Sequence, residues 1–473
     1  MPDYMYLLES RLSAEQRAAV VRVQELATAT EANLYLAGGA VRDVISGMPI
    51  RDLDFVLESN PARIVRELQK GGATVLRADE DARWAELILA GDVDASVSAA
   101  RDEVFSHPGA SPETHFSTIM SDLRRRDFSL NAIAISLNAA SRGLLLDPTN
   151  GLADLERREI RVLSMHSFTN QPVRLLRADR YSVRMGFKLE TRTAEWFHLA
   201  LERGMEENIS PVDAGIELGQ LAREEKVGAI LKAWESHGFL KVFHPQLAKR
   251  HPNYDAVNRI LRAREELWGL GFRPRLFAPV IRAVLGRLKP RERSSTLSRL
   301  QMPAADIASL NNLEPTAAKV VKMLAGRKTA APRDAYAFLE NTPPELIAFL
   351  MAESSNSKVL GKIRSYLHKW RPLRQALPSV TLELEAMGVE RGPKFDKVIE
   401  DFFQAQLAGK ARKPEAHGKL LRKLAGIKEP PKKIEEKKKP DKSEKAGKGK
   451  GAPPPAPPPP RKGAKASGFR RKS

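Results

Sequence analysis

The stretch that decides the reading is LAGGAVRDVISGMPIRDLDFVLE, Leu36 to Glu58. The apolar run Leu34-Tyr35-Leu36 has strand character and runs into Gly38-Gly39, after which a helix is expected from Val41. A glycine pair between strand and helix lets bare backbone N–H groups approach an anion where the helix dipole favours it. Arg42 and Asp43 follow, and Leu53 to Leu57 alternates as a second strand carrying Asp52-Leu-Asp54. Residues i and i+2 of a strand share a face with Cα atoms roughly 6.5–7 Å apart, so both carboxylates reach one site. Mg²⁺-dependent phosphoryl chemistry needs that arrangement, because magnesium takes few carboxylates and completes its shell with substrate phosphates and water. An Asp-x-Asp pair alone is ordinarily a turn or surface feature. The combination with the glycine turn and Arg42 is what gives it weight.

Outward from this stretch, strand-length apolar runs alternate with helical ones through about residue 165. Pro61 to Lys70 reads as an amphipathic helix, and Leu87-Ile88-Leu89 and Ile133-Ala134-Ile135 as further strands. From about Pro172 to Leu424 helical periodicity takes over, punctuated by Pro211, Pro245, Pro290, Pro303, Pro332 and Pro343-Pro344. The expected fold is an α/β head with a mixed sheet, followed by an all-α neck, body and tail. The expected division is head 1–165, helical neck and body 166–290, helical body and tail 291–427, and a Lys/Pro-rich segment 428–473.

Composition sets limits on chemistry. With no cysteine among 473 residues, disulfides, thiolate metal sites and a thiol nucleophile are excluded. No apolar run reaches the ~20 residues of a membrane span and the N-terminus lacks signal-peptide character, so a cytoplasmic protein with no membrane association is expected. The net charge is +20, of which +11 lies in 428–473, with 16 Lys+Arg against 5 Asp+Glu. That segment holds ten of the 32 prolines and one aromatic, Phe469. It is expected to be disordered and to act as an electrostatic arm for an anionic polymer or as a solubilising appendage.

Two further blocks are rich in arginine. LRRRDFSLNAIAI, Leu123 to Ile135, places Arg125, Arg126 and Asp127 ahead of a strand. Guanidinium forks bind phosphate bidentately, and a carboxylate accepts from ribose hydroxyls. In PVRLLRADRYSVRMGFKLE, Pro172 to Glu190, a helix would put Arg174, Arg177, Arg180 and Arg184 on one stripe, with Leu176, Val183 and Phe187 on the adjoining face. Without other context such a stripe is a solvated face.

Together these blocks resemble the tRNA nucleotidyltransferase and poly(A) polymerase family, in its bacterial and eukaryotic class, within the polymerase-beta superfamily. The family pattern Gly-Gly-x-Val-Arg-Asp followed by Asp-x-Asp is met by Gly38, Gly39, Val41, Arg42, Asp43, Asp52 and Asp54. Arg-Arg-Asp-Phe-Thr-x-Asn-Ala is met by Arg125, Arg126, Asp127, Phe128, Asn131 and Ala132, with Ser129 in the threonine place. The segment from Asp147 resembles the connector out of the head, and Gly388 to Leu424 is similar to a helical unit of the tail.

The resemblance implies that Asp52 and Asp54 are catalytic and ligate Mg²⁺. It implies that Gly38, Gly39 and Arg42 hold the triphosphate, Arg126 contacts the nucleotide and Asp127 its sugar. It also makes the arginine helix a neck in which Arg174, Arg177 and, less securely, Arg180 bind the nucleotide. Asp92 and Asp94, followed by Arg101, resemble the strand before the family's flexible loop, and Asp94 is the candidate third carboxylate.

There are two departures. Asn170-Gln171 stands where the family has Glu-Asp, whose acid and the following arginine pair with the base. Gln171 keeps an acceptor oxygen and gains two donors. Downstream, Val212-Asp213 replaces a Glu-Arg pair.

The expected function is template-independent transfer of CMP or AMP from CTP or ATP to the 3′ end of tRNA. Poly(A) addition is the first alternative and a non-catalytic RNA-binding relative the second. The metal-site motifs are common to CCA addition, partial addition and tailing.

Overall fold

The computed structural model describes residues 3–427, apart from 82, 108, 111 and 411–413. The basic segment 428–473 lies outside the described residues.

Among the described residues the head's sheet and hairpin are formed by β1 (Leu34–Ala37), β2 (Leu53–Leu57), β3 (Thr74–Asp79), β4 (Trp84–Leu89), β5 (Val93–Ala99), β6 (Arg101–Val104), β7 (Glu113–Phe116), β8 (Ala134–Ser136) and β9 (Leu145–Leu146). Seven form one sheet in the order β3-β4-β5-β2-β1-β8-β9, and β6-β7 is a separate hairpin. The sheet is mixed, because β2 and β5 run parallel with Asp54 beside Ser96, while the other pairs are antiparallel. Four helices, α1 (Tyr4–Arg11), α2 (Ala14–Ala29), α3 (Gly39–Ser46) and α4 (Ala62–Lys70), share one apolar core with Leu53, Phe55 and Leu57 of β2. Val56, two residues on from Asp54, turns to the other face with Tyr35, Ala37 and the buried Ile119 and Leu123 of α5 (Ile119–Arg124). The two-residue period thus buries one edge of β2 and presents its carboxylate on the opposite face.

α6 (Gly151–Arg157) and α7 (Ser167–Asn170) lead to α8 (Arg174–Met185), the arginine helix. It ends where Gly186 takes the left-handed conformation, so Phe187 lies past the helix rather than on its apolar face. Beyond come α9 (Thr191–Glu202), α10 (Pro211–Ala222), α11 (Val227–Ser236) and further helices to Ala425. Trp234 of α11 is fully buried and donates its Nε1 to Leu176 O at 3.0 Å, tying α11 to α8. The expected breakers act as helix starts, with Pro211, Pro290, Pro332 and Pro344 at first positions. One strand interrupts the helical region: Lys188–Leu189 pairs in parallel with Glu159–Ile160. No described helix is long and apolar enough to cross a membrane.

Candidate active site

The site begins at the glycine turn between β1 and α3. Gly38 sits at φ 70°, ψ −128°, a conformation strained for any side chain. A Cβ there would lie 2.7 Å from Arg126 Nη1 and 3.4 Å from Asp54 Oδ2. At Gly39 a Cβ would lie 3.6 Å from Asp54 Oδ2, 3.8 Å from Asp52 Oδ1 and 3.6 Å from Arg42 Nη2. Both carboxylates and two guanidinium groups therefore close on the bare turn.

β2 starts at Leu53, so Asp52 stands one residue ahead of the strand and Asp54 within it. Asp54 Oδ1 accepts from Ser96 Oγ at 2.7 Å, and no hydrogen bond to Oδ2 is found among the described residues. Burial, and then the neighbouring charge of Asp52, push the Asp54 carboxyl above the ordinary carboxylate range. A desolvated acid beside a second acid is relieved by a cation. The donor set, two hard oxygens at an anion-accepting turn, fits magnesium.

The expected third carboxylate is engaged elsewhere. Asp94 faces the same cleft from β5, but its Oδ2 is 2.7 Å from Arg223 Nη2 and its Oδ1 is 3.2 Å from Arg275 Nη2. Arg223 also lies 3.9 Å from Asp52. Among the described residues no cluster of three metal-ligating side chains is formed.

The arginines fall into two groups. Arg42, only 2% exposed, donates Nε to Asp43 at 2.9 Å and Nη1 to the Asn131 side chain at 2.5 Å. Arg184 holds the other oxygen of Asp43 at 2.7 Å. Arg126 grips the fully buried Asp122 through Nε and Nη2, at 3.1 and 3.0 Å. Arg177 and Arg180 share Glu217 of α10, at 2.8 and 2.9 Å, and Arg180 reaches Glu224 at 3.0 Å. Burial opposes the charge on Arg177 and Arg180, and Glu217 outweighs it, so both stay protonated. The solvated-stripe reading fails here, since α10 supplies acids that neutralise the stripe inside the protein. Arg177 also lies 3.4 Å from Asp127. Burial disfavours ionisation of Asp127, but Arg177, Arg174 and donors from Asn131 and Phe128 hold it below its ordinary value.

Arg174 forms the second group alone. It is 6% exposed, donates to Ser167 Oγ at 2.8 Å and to Arg125 O at 3.0 Å, and makes no ion pair among the described residues. Its Nε is buried without a partner. Desolvation, incompletely offset by Asp127, pulls it down to about 10. A buried guanidinium without a carboxylate has its charge available for an incoming group.

All ten expected site residues line one cleft of about 850 Å³ between the sheet face and α8 and α10: Gly38, Gly39, Arg42, Asp52, Asp54, Arg126, Asp127, Arg174, Arg177 and Arg180. Sequence reasoning missed their supports, Ser96, Asp122, Glu217 and Glu224. Ser96 was signalled by the alternation of Asp94, Ser96 and Ser98 on β5. Tyr181, with Arg42 and Arg180 at 5.1 and 4.7 Å from its ring centre, was missed as well.

Residues 34–161 match the family described as the poly(A) polymerase head domain. The chain is 29% identical over 397 residues to an A-adding tRNA nucleotidyltransferase of Halalkalibacterium halodurans, covering 83% of this chain and 89% of that protein. It is 25% identical over 433 residues to an A-adding tRNA nucleotidyltransferase of Geobacter sulfurreducens, covering 89% of this chain but 48% of that protein, so that it spans about half the length of this relative. Over 155 residues it is 38% identical to a CC-adding tRNA nucleotidyltransferase of Deinococcus radiodurans, covering 33% and 41% of the two chains. With its glycine turn, paired carboxylates and neck arginines on one cleft, the chain carries a head that matches the poly(A) polymerase head domain and is similar over most of its length to A-adding tRNA nucleotidyltransferases.

Proposed function

We propose that the chain adds CMP or AMP, from CTP or ATP, to the 3′ end of tRNA without a nucleic-acid template, completing all or part of the CCA end. The observation that carries this is the convergence of Asp52 and Asp54 on the Gly38-Gly39 turn, beside Arg42 and Arg126. A-adding and CC-adding relatives support it.

In this reading Asp52 and Asp54 hold Mg²⁺, which when bound lowers the pKa of the RNA 3′-hydroxyl and neutralises charge on the phosphates. The protein's own groups position the reactants. At the Gly38-Gly39 turn the Gly38 N–H is bonded to Ile133 O, so the Gly39 N–H at the start of α3, with the Arg42 guanidinium held beside it by Asp43, receives the triphosphate. Arg126 and Asp127 flank the ribose and phosphate region. Arg174 offers the unpaired charge and donors, while Arg177 and Arg180, fixed by Glu217, shape the wall behind it. The 3′-oxygen then bonds to the α-phosphorus and pyrophosphate leaves. The head, 1–165, would be the catalytic unit. Segments 166–290 and 291–427 would bind nucleotide and RNA by shape and backbone charge. Work in the cytoplasm fits these partners.

The test supplies purified protein with tRNA lacking its CCA end, or ending in CC, and with CTP and ATP singly and together. Extension that stops at a defined length supports the proposal. A ladder made from ATP alone would transfer the reading to poly(A) addition, and no extension on any tRNA would overturn it.

A further inference from the structure

One arginine of the helical body reaches the carboxylates of the head. Arg223 caps the C-terminus of α10, where the helix dipole favours a cation, and its backbone oxygen accepts from Arg51 Nη1 at 3.1 Å. Arg51 also pairs with Glu224 at 3.3 Å, and Arg180 holds the same Glu224 at 3.0 Å. The residue ahead of Asp52 thus fastens the end of α10 to the start of β2. So seated, Arg223 places Nη2 2.7 Å from Asp94 Oδ2 and Nη1 3.9 Å from Asp52 Oδ2. The first contact is a charge-assisted hydrogen bond, which fixes the guanidinium. The second is attraction without a bond. The Arg223 and Asp52 side chains are 37% and 34% exposed, so water screens that attraction and leaves it exchangeable. Arg275 shares Asp94 at 3.2 Å and pairs with Asp92 at 2.8 Å, but makes no ion pair with Asp52 or Asp54 among the described residues.

We propose that Arg223, anchored on Asp94, is a resident counter-ion of Asp52 that competes with a free divalent cation and favours the cation when it arrives on a nucleoside triphosphate. A fixed guanidinium beside Asp52 repels a bare divalent ion seeking that carboxylate. The same guanidinium attracts the anionic oxygens of a triphosphate that carries the ion, so the complex gains where the free ion loses. In this scheme Asp94 is the anchor of the arginine. The inference rests on Asp52 and Asp54 holding Mg²⁺, as proposed above, and deepens that reading.

The test titrates Mn²⁺, a paramagnetic stand-in for Mg²⁺, by electron paramagnetic resonance without RNA, in the absence and presence of ATP. Wild type, Arg223→Gln, Arg275→Gln and Asp52→Ala are compared. Arg51 and Glu224 still hold the end of α10 in Arg223→Gln, so this variant keeps the fold. It is expected to bind free Mn²⁺ roughly tenfold more tightly than wild type, the scale of a unit charge about 4 Å from a ligand of a divalent ion in watery surroundings. The gain should shrink as salt is raised, and ATP should abolish or reverse it. Arg275→Gln, which also strips a cation from Asp94, should stay within about twofold of wild type. A damaged fold weakens metal binding and cannot produce a gain. Free Mn²⁺ affinity unchanged or weaker in Arg223→Gln, or equal gains in the two arginine variants, overturns the inference while the proposed function stands. If Asp52→Ala binds Mn²⁺ as tightly as wild type, the proposed metal site itself has failed and takes this inference with it.

Discussion

Glu217→Gln puts the neck's internal neutralisation under direct load. Glu217 is 1% exposed and bridges Arg177 at 2.8 Å and Arg180 at 2.9 Å. The amide keeps an acceptor for one guanidinium and turns an NH₂ towards the other, so one buried cation loses its partner. Removing one member of a buried ion pair costs about 3–5 kcal/mol. Here Arg177 retains Asp127 at 3.4 Å and Arg180 retains Glu224 at 3.0 Å, which argues for the lower end. A loss of about 3 kcal/mol corresponds to roughly two decades in the folded-to-unfolded ratio. Urea unfolding followed by tryptophan fluorescence reads this region, because Trp234 is bonded to the α8 backbone. The midpoint should fall clearly in Glu217→Gln and stay in place in Glu67→Gln, whose partner Lys70 is on the surface. A Glu217→Gln midpoint equal to wild type would refute the claim that α10 neutralises the arginine stripe.

Arg174→Met removes a buried guanidinium that makes no ion pair but donates to Ser167 Oγ and Arg125 O, so it should lower the unfolding midpoint, and by less than Glu217→Gln. It should also weaken nucleotide binding by about 10–100-fold, the worth of a charge-assisted hydrogen bond, as read by titration with ATP and CTP. Gly38→Ala combines backbone strain at φ 70° with a Cβ 2.7 Å from Arg126 Nη1. It should cost about 1–3 kcal/mol in thermal unfolding and displace Arg126, and a fully stable, fully active variant would contradict the cradle. His237 is held above its ordinary 6.5 by its hydrogen bond to Asp179, against a smaller desolvation effect, and burial raises Asp179. A folded-state value raised above the unfolded one contributes stability below the unfolded value and loses it as pH climbs through the folded one. Unfolding free energy should therefore fall from pH 6 to 8 more steeply in wild type than in His237→Gln, and equal slopes would count against this pair.

Much of the head was legible because its signals are local. The glycine turn, Arg42 and the i, i+2 carboxylates lie within 17 residues, and strand alternation alone sends Leu53 and Phe55 to one face and Asp54 to the other. The arginine stripe of α8 was legible as periodicity, but its meaning was not. The acids that neutralise it come from α10 and its end, 37 to 44 residues on, and helical spacing carries no signal for pairing between helices. Alternation put Ser96 on the cleft face of β5, but nothing local marked Asp54 as its partner or Arg223 and Arg275 as those of Asp94. Gln171 stood out as a departure in the sequence, yet only the fold brings β6 and Glu103 to its side.

The central claim is that Asp52 and Asp54 make this cleft an RNA-extending site. Its most direct test follows labelled AMP and CMP incorporation into tRNA ending in CC, or lacking CCA, by wild type and Asp52→Ala, with tRNA affinity measured on both. The account predicts extension by wild type, a loss of at least about a thousandfold in Asp52→Ala, and tRNA affinity unchanged within about twofold. Extension by Asp52→Ala at the wild-type rate, or none by wild type despite tight tRNA binding, would contradict it.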